Sequence, residues 1–244
     1  MEAIVLGSGS KGNSTLIKTE KSNILIDVGF SYKNLKEKLE SVNMYPKDIN
    51  YIFITHDHVD HIFGLSTFLK KHKPTLYISE KLSGVITYEN TKYFSDENII
   101  DDFFVKVFQT SHDATDSIGF LIEEKEESLV YITDTGYINE RNFIYLKNKT
   151  YYFIESNHDI EKLMNGSYPY HLKQRIYSDK GHLSNEACGM YLSKLIGDDT
   201  KKIILLHLSE ENNTKILAYD AVTKMIESKV PVLVSDQKET LEVR

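Results

Sequence analysis

Thr55-His56-Asp57-His58-Val59-Asp60-His61 is the stretch on which the reading of this chain turns. It follows an apolar, strand-like run, residues 51–54, and opens a segment, residues 62–71, with helical periodicity. A single histidine is ordinarily a surface residue or a satisfied core residue. Three His and two Asp within positions 56–61, at a strand-to-helix turn, have no packing explanation. Imidazole and carboxylate groups are ligands for Zn, Mn or Fe. From one turn, His56 and His58 can aim at one ion while Asp60 and His61 aim at a second. A short loop feeding two ions is a compact way to build a two-metal clamp.

The rest of the composition is compatible with such a centre. With 244 residues, 41% hydrophobic and 27% charged, the chain has ordinary globular proportions and enough length for a full core. A single domain over residues 1–244 is expected. The lone cysteine, Cys188, excludes an internal disulfide framework and leaves His and carboxylate to hold any metal. A net charge of -7 argues against coating nucleic acid through a basic surface. It does not argue against a nucleic-acid enzyme, because two bound divalent cations make a cleft locally positive. Residues 1–7 show no basic segment leading into a long apolar run, and no stretch approaches the roughly 20 residues that span a bilayer. A cytoplasmic location without membrane association is therefore expected.

Short β-branched runs predict strands over residues 3–6, 15–18, 23–27, 51–55, 75–78, 103–108, 118–123, 129–133, 151–155 and 203–207. Helical patterns cover 31–42, 60–71, 184–196 and 213–227. In the first, Leu35, Leu39 and Val42 form a stripe behind a Ser31 cap. In the last, Leu217, Ala221, Val222 and Met225 share a face. The charged run 123–127 reads as a solvated hairpin tip. No linker, repeat or low-complexity tract interrupts this α/β pattern.

The order His-x-His-x-Asp-His resembles the signature of the metallo-β-lactamase superfamily. The resemblance implies an α/β fold built as a four-layer αβ/βα sandwich, two mixed sheets face to face with helices outside. It also implies further ligands downstream, each just past a predicted strand. His112 would complete the first site with His56 and His58. Asp134 would bridge both ions, and His207 would complete the second site with Asp60, His61 and Asp134. Asp27 matches an early aspartate that orients the histidine loop without binding metal itself; a plain turn-capping role is the alternative. The metals implied are two divalent ions, Zn or Mn, with Fe also compatible.

Further residues narrow the branch. His61 directly after Asp60 separates the chain from the common zinc β-lactamases. His58, where flavodiiron proteins carry Glu, and the lack of a flavin domain separate it from those oxidoreductases. Glu155-Ser156-Asn157-His158-Asp159 and Gly181-His182-Leu183-Ser184-Asn185 resemble the paired Glu and Gly-His motifs of tRNA 3′-processing endonucleases of this fold. By that analogy Glu155 holds His182, and His182 acts as general acid beside Asp134. Over nearly its whole length the chain is similar to the YycJ/VicX-like (WalJ-like) branch. The similarity is carried by residues 7–14, 56–61, 112–114, 155–159, 168–175, 181–185 and 207–213. It implies a 5′-to-3′ DNA exonuclease of mismatch repair, with single-stranded DNA as partner. RNA processing, small phosphodiester hydrolysis and a non-catalytic role beside a two-component system are the alternatives. Ser117 stands where the branch usually has Pro, which predicts a looser loop there. Lys11, Asn13, Asn157, Lys173 and Arg175, with Lys180, are candidates for substrate phosphates. Tyr168 and Tyr170 are candidates for stacking on unpaired bases.

Overall fold

Alternation along the strands decides the layering. In β1 (Glu2–Gly7), Ala3 and Val5 belong to one apolar cluster while Ile4 and Leu6 belong to another, as a period of two requires. The structure, a computed structural model, describes residues 1–243. The next strands are β2 (Ser14–Lys18), β3 (Asn23–Ile26), β4 (Tyr51–Phe53), β5 (Thr75–Ile78), β6 (Thr91–Tyr93) and β7 (Glu97–Ile100). They are followed by β8 (Phe103–Gln109), β9 (Ile118–Glu124), β10 (Glu127–Ile132), β11 (Tyr151–Glu155), β12 (Lys202–Leu206), β13 (Val232–Val234) and β14 (Leu241–Val243). One sheet is ordered β14-β1-β2-β3-β4-β5-β6 and the other β13-β12-β11-β10-β9-β8-β7. Both are mixed. β14 to β3 pair antiparallel and β3 to β6 parallel. β7 to β10 pair antiparallel and β10 to β13 parallel.

The inner faces of the two sheets share one core that includes Val5, Ile26, Phe53, Phe120, Tyr131 and Phe153. Burying each of these larger side chains stabilises the fold by about 2–3 kcal/mol. On the outer face of the first sheet, Leu16, Leu25 and Ile52 pack on α1 (Tyr32–Ser41) through Leu35 and Leu39. A third cluster joins Val130, Ile132 and Ile154 to later helices. Those helices are α7 (Asn185–Leu195) and α8 (Lys215–Ile226), which meet through Cys188, Leu192, Ala218 and Val222. The result is the four-layer sandwich expected from the motif resemblance.

All ten expected strands are present, their ends shifted by a residue or two. The strands not anticipated, β6, β7, β13 and β14, are three or four residues long, too short to display a period. The expected helix over 60–71 is a correction: it is two helices, α2 (Val59–Ile62) and α3 (Leu65–His72). The break falls at Phe63-Gly64, where a Cβ on Gly64 would lie 2.2 Å from the Phe30 carbonyl oxygen. Three further helices, α4 (Phe143–Leu146), α5 (Ile160–Asn165) and α6 (Tyr170–Tyr177), were also not anticipated. The charged run at 123–127 is the turn of the β9–β10 hairpin, with Glu124 opposite Glu127.

The two ends of the sandwich differ. At the end holding the β2–β3 turn, side chains stitch sheet to sheet. Thr19 Oγ1 donates to Asp102 at 3.0 Å, and Ser22 Oγ and Tyr51 OH donate to Asp101 at 2.9 and 2.6 Å. The backbone N–H of Glu20 donates to the Glu124 carboxylate at 2.6 Å. The opposite end gathers the residues that follow β3, β4, β8, β10, β11 and β12. No helix among the described residues is long and apolar enough to cross a membrane.

Candidate metal centre

Asp27 leaves β3 in the left-handed region, φ 63°, which turns its carboxylate inward. It is fully buried. One oxygen accepts the Thr55 N–H at 2.9 Å; the other accepts the Thr55 hydroxyl at 2.8 Å and contacts His61 Nδ1 at 2.7 Å. The ring of His61 is thereby oriented with Nε2 toward Asp134 Oδ2, 3.2 Å away. Burial opposes the charged form of His61, but Asp27 and Asp134 outweigh it and lift its pKa to about 10. Neighbouring loops lock the turn in place. The Asn13 N–H donates to the Asp60 carbonyl at 2.8 Å and the Val28 N–H to the His61 carbonyl at 2.8 Å. Such closeness requires glycine at position 29, where a Cβ would sit 1.8 Å from the Asp60 carbonyl oxygen.

Among the described residues, four groupings could hold a cation: His56, His58 and His112; Asp60, His61 and His207; His56, His61 and Asp134; and Asp134, Glu155, His182 and His207. His112 comes in from the second sheet, its Nδ1 donating to the Gly181 carbonyl at 3.0 Å and its Nε2 lying 3.2 Å from His58 Nδ1. Asp134 sits between the groups, 3.2 Å from His207 Nδ1 and 3.7 Å from His112 Nε2. Burial would raise its pKa, yet His207 and His61 hold the carboxyl well below the usual range. The residues present fit divalent cations. Nε2 of His56 and Nε2 of His207 are buried without hydrogen-bond partners, an omission that costs about 1–3 kcal/mol per group and that a cation would relieve.

Beside this cluster, Glu155 is fully buried at the end of β11. Its Oε1 contacts His182 Nδ1 at 2.7 Å and His207 Nδ1 at 2.9 Å. Its Oε2 accepts the N–H groups of Thr135 and Leu183 at 2.9 and 3.1 Å. Burial would raise its pKa, but His182 and His207 bring it down to about 2. One carboxylate therefore orients two histidines, where the sequence suggested only His182. With Nδ1 engaged, His182 has Nε2 as the nitrogen able to exchange a proton, and its side chain keeps 20% of its exposure.

The substrate candidates divide. Asn13 is buried, and its amide accepts from the Gly9 N–H at 2.9 Å and lies 3.2 Å from Asp60 Oδ2 and 3.0 Å from His61 Nε2. It ties the loop after β1 to the turn that carries Asp60 and His61. Asn157 donates to the His207 carbonyl at 2.8 Å, and Lys173 Nζ to the carbonyls of Met164 and Gly166 at 2.7 and 2.8 Å. All three are committed internally. Lys11 and Arg175 are exposed, paired with Glu210 and Asp113, each at 2.5 Å. Ser117 is buried, and its hydroxyl lies 2.6 Å from that of Thr110. Sequence reading missed Thr55 and Ser8, whose Oγ accepts the His207 N–H at 2.9 Å. Their only signal was membership of the motif segments 55–61 and 7–14.

Residues 7–205 match the model of the metallo-beta-lactamase superfamily. The chain is 40% identical over 228 residues to the exodeoxyribonuclease WalJ of Streptococcus pneumoniae, covering 88% of this chain and 84% of that protein. It is 36% identical over 234 residues to the exodeoxyribonuclease YycJ of Bacillus anthracis, covering 92% and 89%. In architecture it is similar to the metallo-beta-lactamase fold protein YhfI of Bacillus subtilis, with a TM-score of 0.76 over 99% of both chains at 16% identity.

Proposed function

Because the chain belongs to the metallo-beta-lactamase superfamily, in the branch of the exodeoxyribonucleases WalJ and YycJ, we propose that it is a metal-dependent phosphodiesterase that removes nucleotides from the 5′ end of single-stranded DNA. In this reading residues 1–244 act as one catalytic domain. His56, His58 and His112 would hold one ion and Asp60, His61 and His207 a second, with Asp134 available to either. Zn or Mn suits this donor set, and Fe is compatible. When bound, the ions supply Lewis-acid stabilisation of the phosphate oxygens and activation of the attacking water.

The chain's own residues do the rest. Asp27 fixes the ring of His61, and the Thr133 hydroxyl holds Asp134 Oδ2 at 2.7 Å. Glu155 holds His182 by Nδ1, so that Nε2 delivers a proton to the departing sugar oxygen. The observation that carries this reading is that pair beside a cluster of six His and Asp side chains centred on Asp134. A departing sugar oxygen needs a proton, and a carboxylate-oriented imidazole is a group that can supply it.

The test is hydrolysis of end-labelled single-stranded DNA with Mn or Zn, run beside a tRNA precursor and the Asp134→Ala protein. Stepwise loss from the 5′ end, absent from the variant, is expected. Cleavage of the RNA alone would discard DNA as substrate while keeping the phosphodiesterase. Full activity in Asp134→Ala would remove the metal assignment.

A further inference from the structure

The solvent side of α2 and its C-cap carries two large apolar side chains where a charged rim would be ordinary. Val59 is 70% exposed and Phe63, one turn on, is 63% exposed. Single exposed hydrophobics need no explanation. These two differ because they flank Asp60, and because the surface between them and the first loop is concave. Lys11, Phe30, Val59, Asp60 and Phe63 line a recess of about 490 Å³, within the range of small-ligand sites. Asp60 belongs both to this recess and to the proposed metal centre, so whatever occupies one abuts whatever occupies the other.

The opposite wall is built rather than loose. Asn13 Oδ1 accepts the Gly9 N–H at 2.9 Å, and Gln237 Oε1 accepts the Lys11 N–H at 3.0 Å. These bonds fix the loop that presents the Lys11 ammonium. The partner of that ammonium, Glu210, is exposed, and an exposed pair of this kind contributes little. It can exchange for a phosphate, which makes charge-assisted bonds of its own.

We infer that this recess is a nucleobase subsite: the base beside the scissile phosphate stacks on Phe63, and Lys11 neutralises the adjoining phosphate. The inference rests on the reading of the centre as a DNA phosphodiesterase and names where the substrate is gripped. An aromatic face accepts every base, so the subsite confers grip without sequence preference.

The test compares a short 3′-labelled single-stranded oligonucleotide with bis(p-nitrophenyl) phosphate, a diester without bases, in Mn. Phe63→Ala is expected to lower the ratio of kcat/KM for the oligonucleotide over the small diester by about 10-fold, the scale of one lost stack. A single abasic residue at the gripped position should cause the same loss in the wild-type protein and no further loss in Phe63→Ala. Lys11→Gln should reduce the salt dependence of oligonucleotide binding by about one counterion. A second readout does not use turnover. The chain has no tryptophan, so Phe63→Trp places a single indole in the recess, one that can be excited at wavelengths the tyrosines do not absorb. A phosphorothioate oligonucleotide should quench it, and an abasic counterpart should not. An unchanged ratio in Phe63→Ala, or a tryptophan indifferent to the bases, overturns the subsite while leaving the nuclease in place. A wild-type protein that cleaves the small diester and no oligonucleotide overturns the DNA reading and the subsite with it.

Discussion

Three residues of the centre share a backbone conformation that side chains rarely adopt. Asp27, Asp134 and His207 have φ of 63°, 49° and 55°, each within two residues of a strand end. The left-handed turn costs about 1–2 kcal/mol per residue and re-aims the side chain from the sheet into the centre, a pattern of strain concentrated at working residues. Glu155 is the residue whose loss should be felt twice. Glu155→Gln should lower kcat by about 10²–10⁴-fold through His182 and weaken metal affinity by about 10–100-fold through His207. His182→Gln should reproduce only the first effect. Turnover together with metal content by plasma mass spectrometry separates them. His158 makes a different prediction. It is fully buried with neither ring nitrogen bonded, and burial brings its pKa down to about 4. The unfolded chain takes up that proton near the ordinary value of about 6.5. The stabilisation is therefore complete above pH ~6.5 and lost as pH falls towards ~4, by on the order of 3 kcal/mol. His158→Phe should flatten that part of the decline; equal slopes in urea titrations between pH ~7 and ~5 would refute it.

At the scale of elements, the site depends on loops held together by backbone contacts. Gly29→Ala pushes a methyl group into the Asp60 carbonyl. Thermal unfolding should show a loss of more than about 2 kcal/mol, with metal affinity lost alongside it because Asp60 moves. Much of this level was legible in the sequence. Short β-branched runs marked the central strands, and the His56–His61 cluster announced its own turn. What was not legible depends on partners distant in sequence. Short edge strands such as β6 and β14 exist because a neighbour pairs with them. The break between α2 and α3 comes from the Phe30 carbonyl packed at Gly64. Asn13 reads as a loop donor until its amide is seen against Asp60 and His61. Lys173 likewise reads as a phosphate ligand until its ammonium is seen on two carbonyls.

Across the whole molecule, each sheet supplies about half of the centre. Asp27, His56, His58, Asp60 and His61 follow β3 and β4; His112, Asp134 and His207 follow β8, β10 and β12, and Glu155 ends β11. The far end is sewn by Thr19, Ser22 and Tyr51 to Asp101 and Asp102, which need no ion. The sandwich is thus like a book with a permanent spine at one margin and a removable clasp at the other. Chelation should lower Tm by the linkage of a lost ligand, and the loosening should be lopsided. Amide hydrogen exchange is expected to quicken around residues 55–64, 134–136 and 207–209 and to stay unchanged around 19–23 and 100–103, so that the ion sets how far the two covers can part.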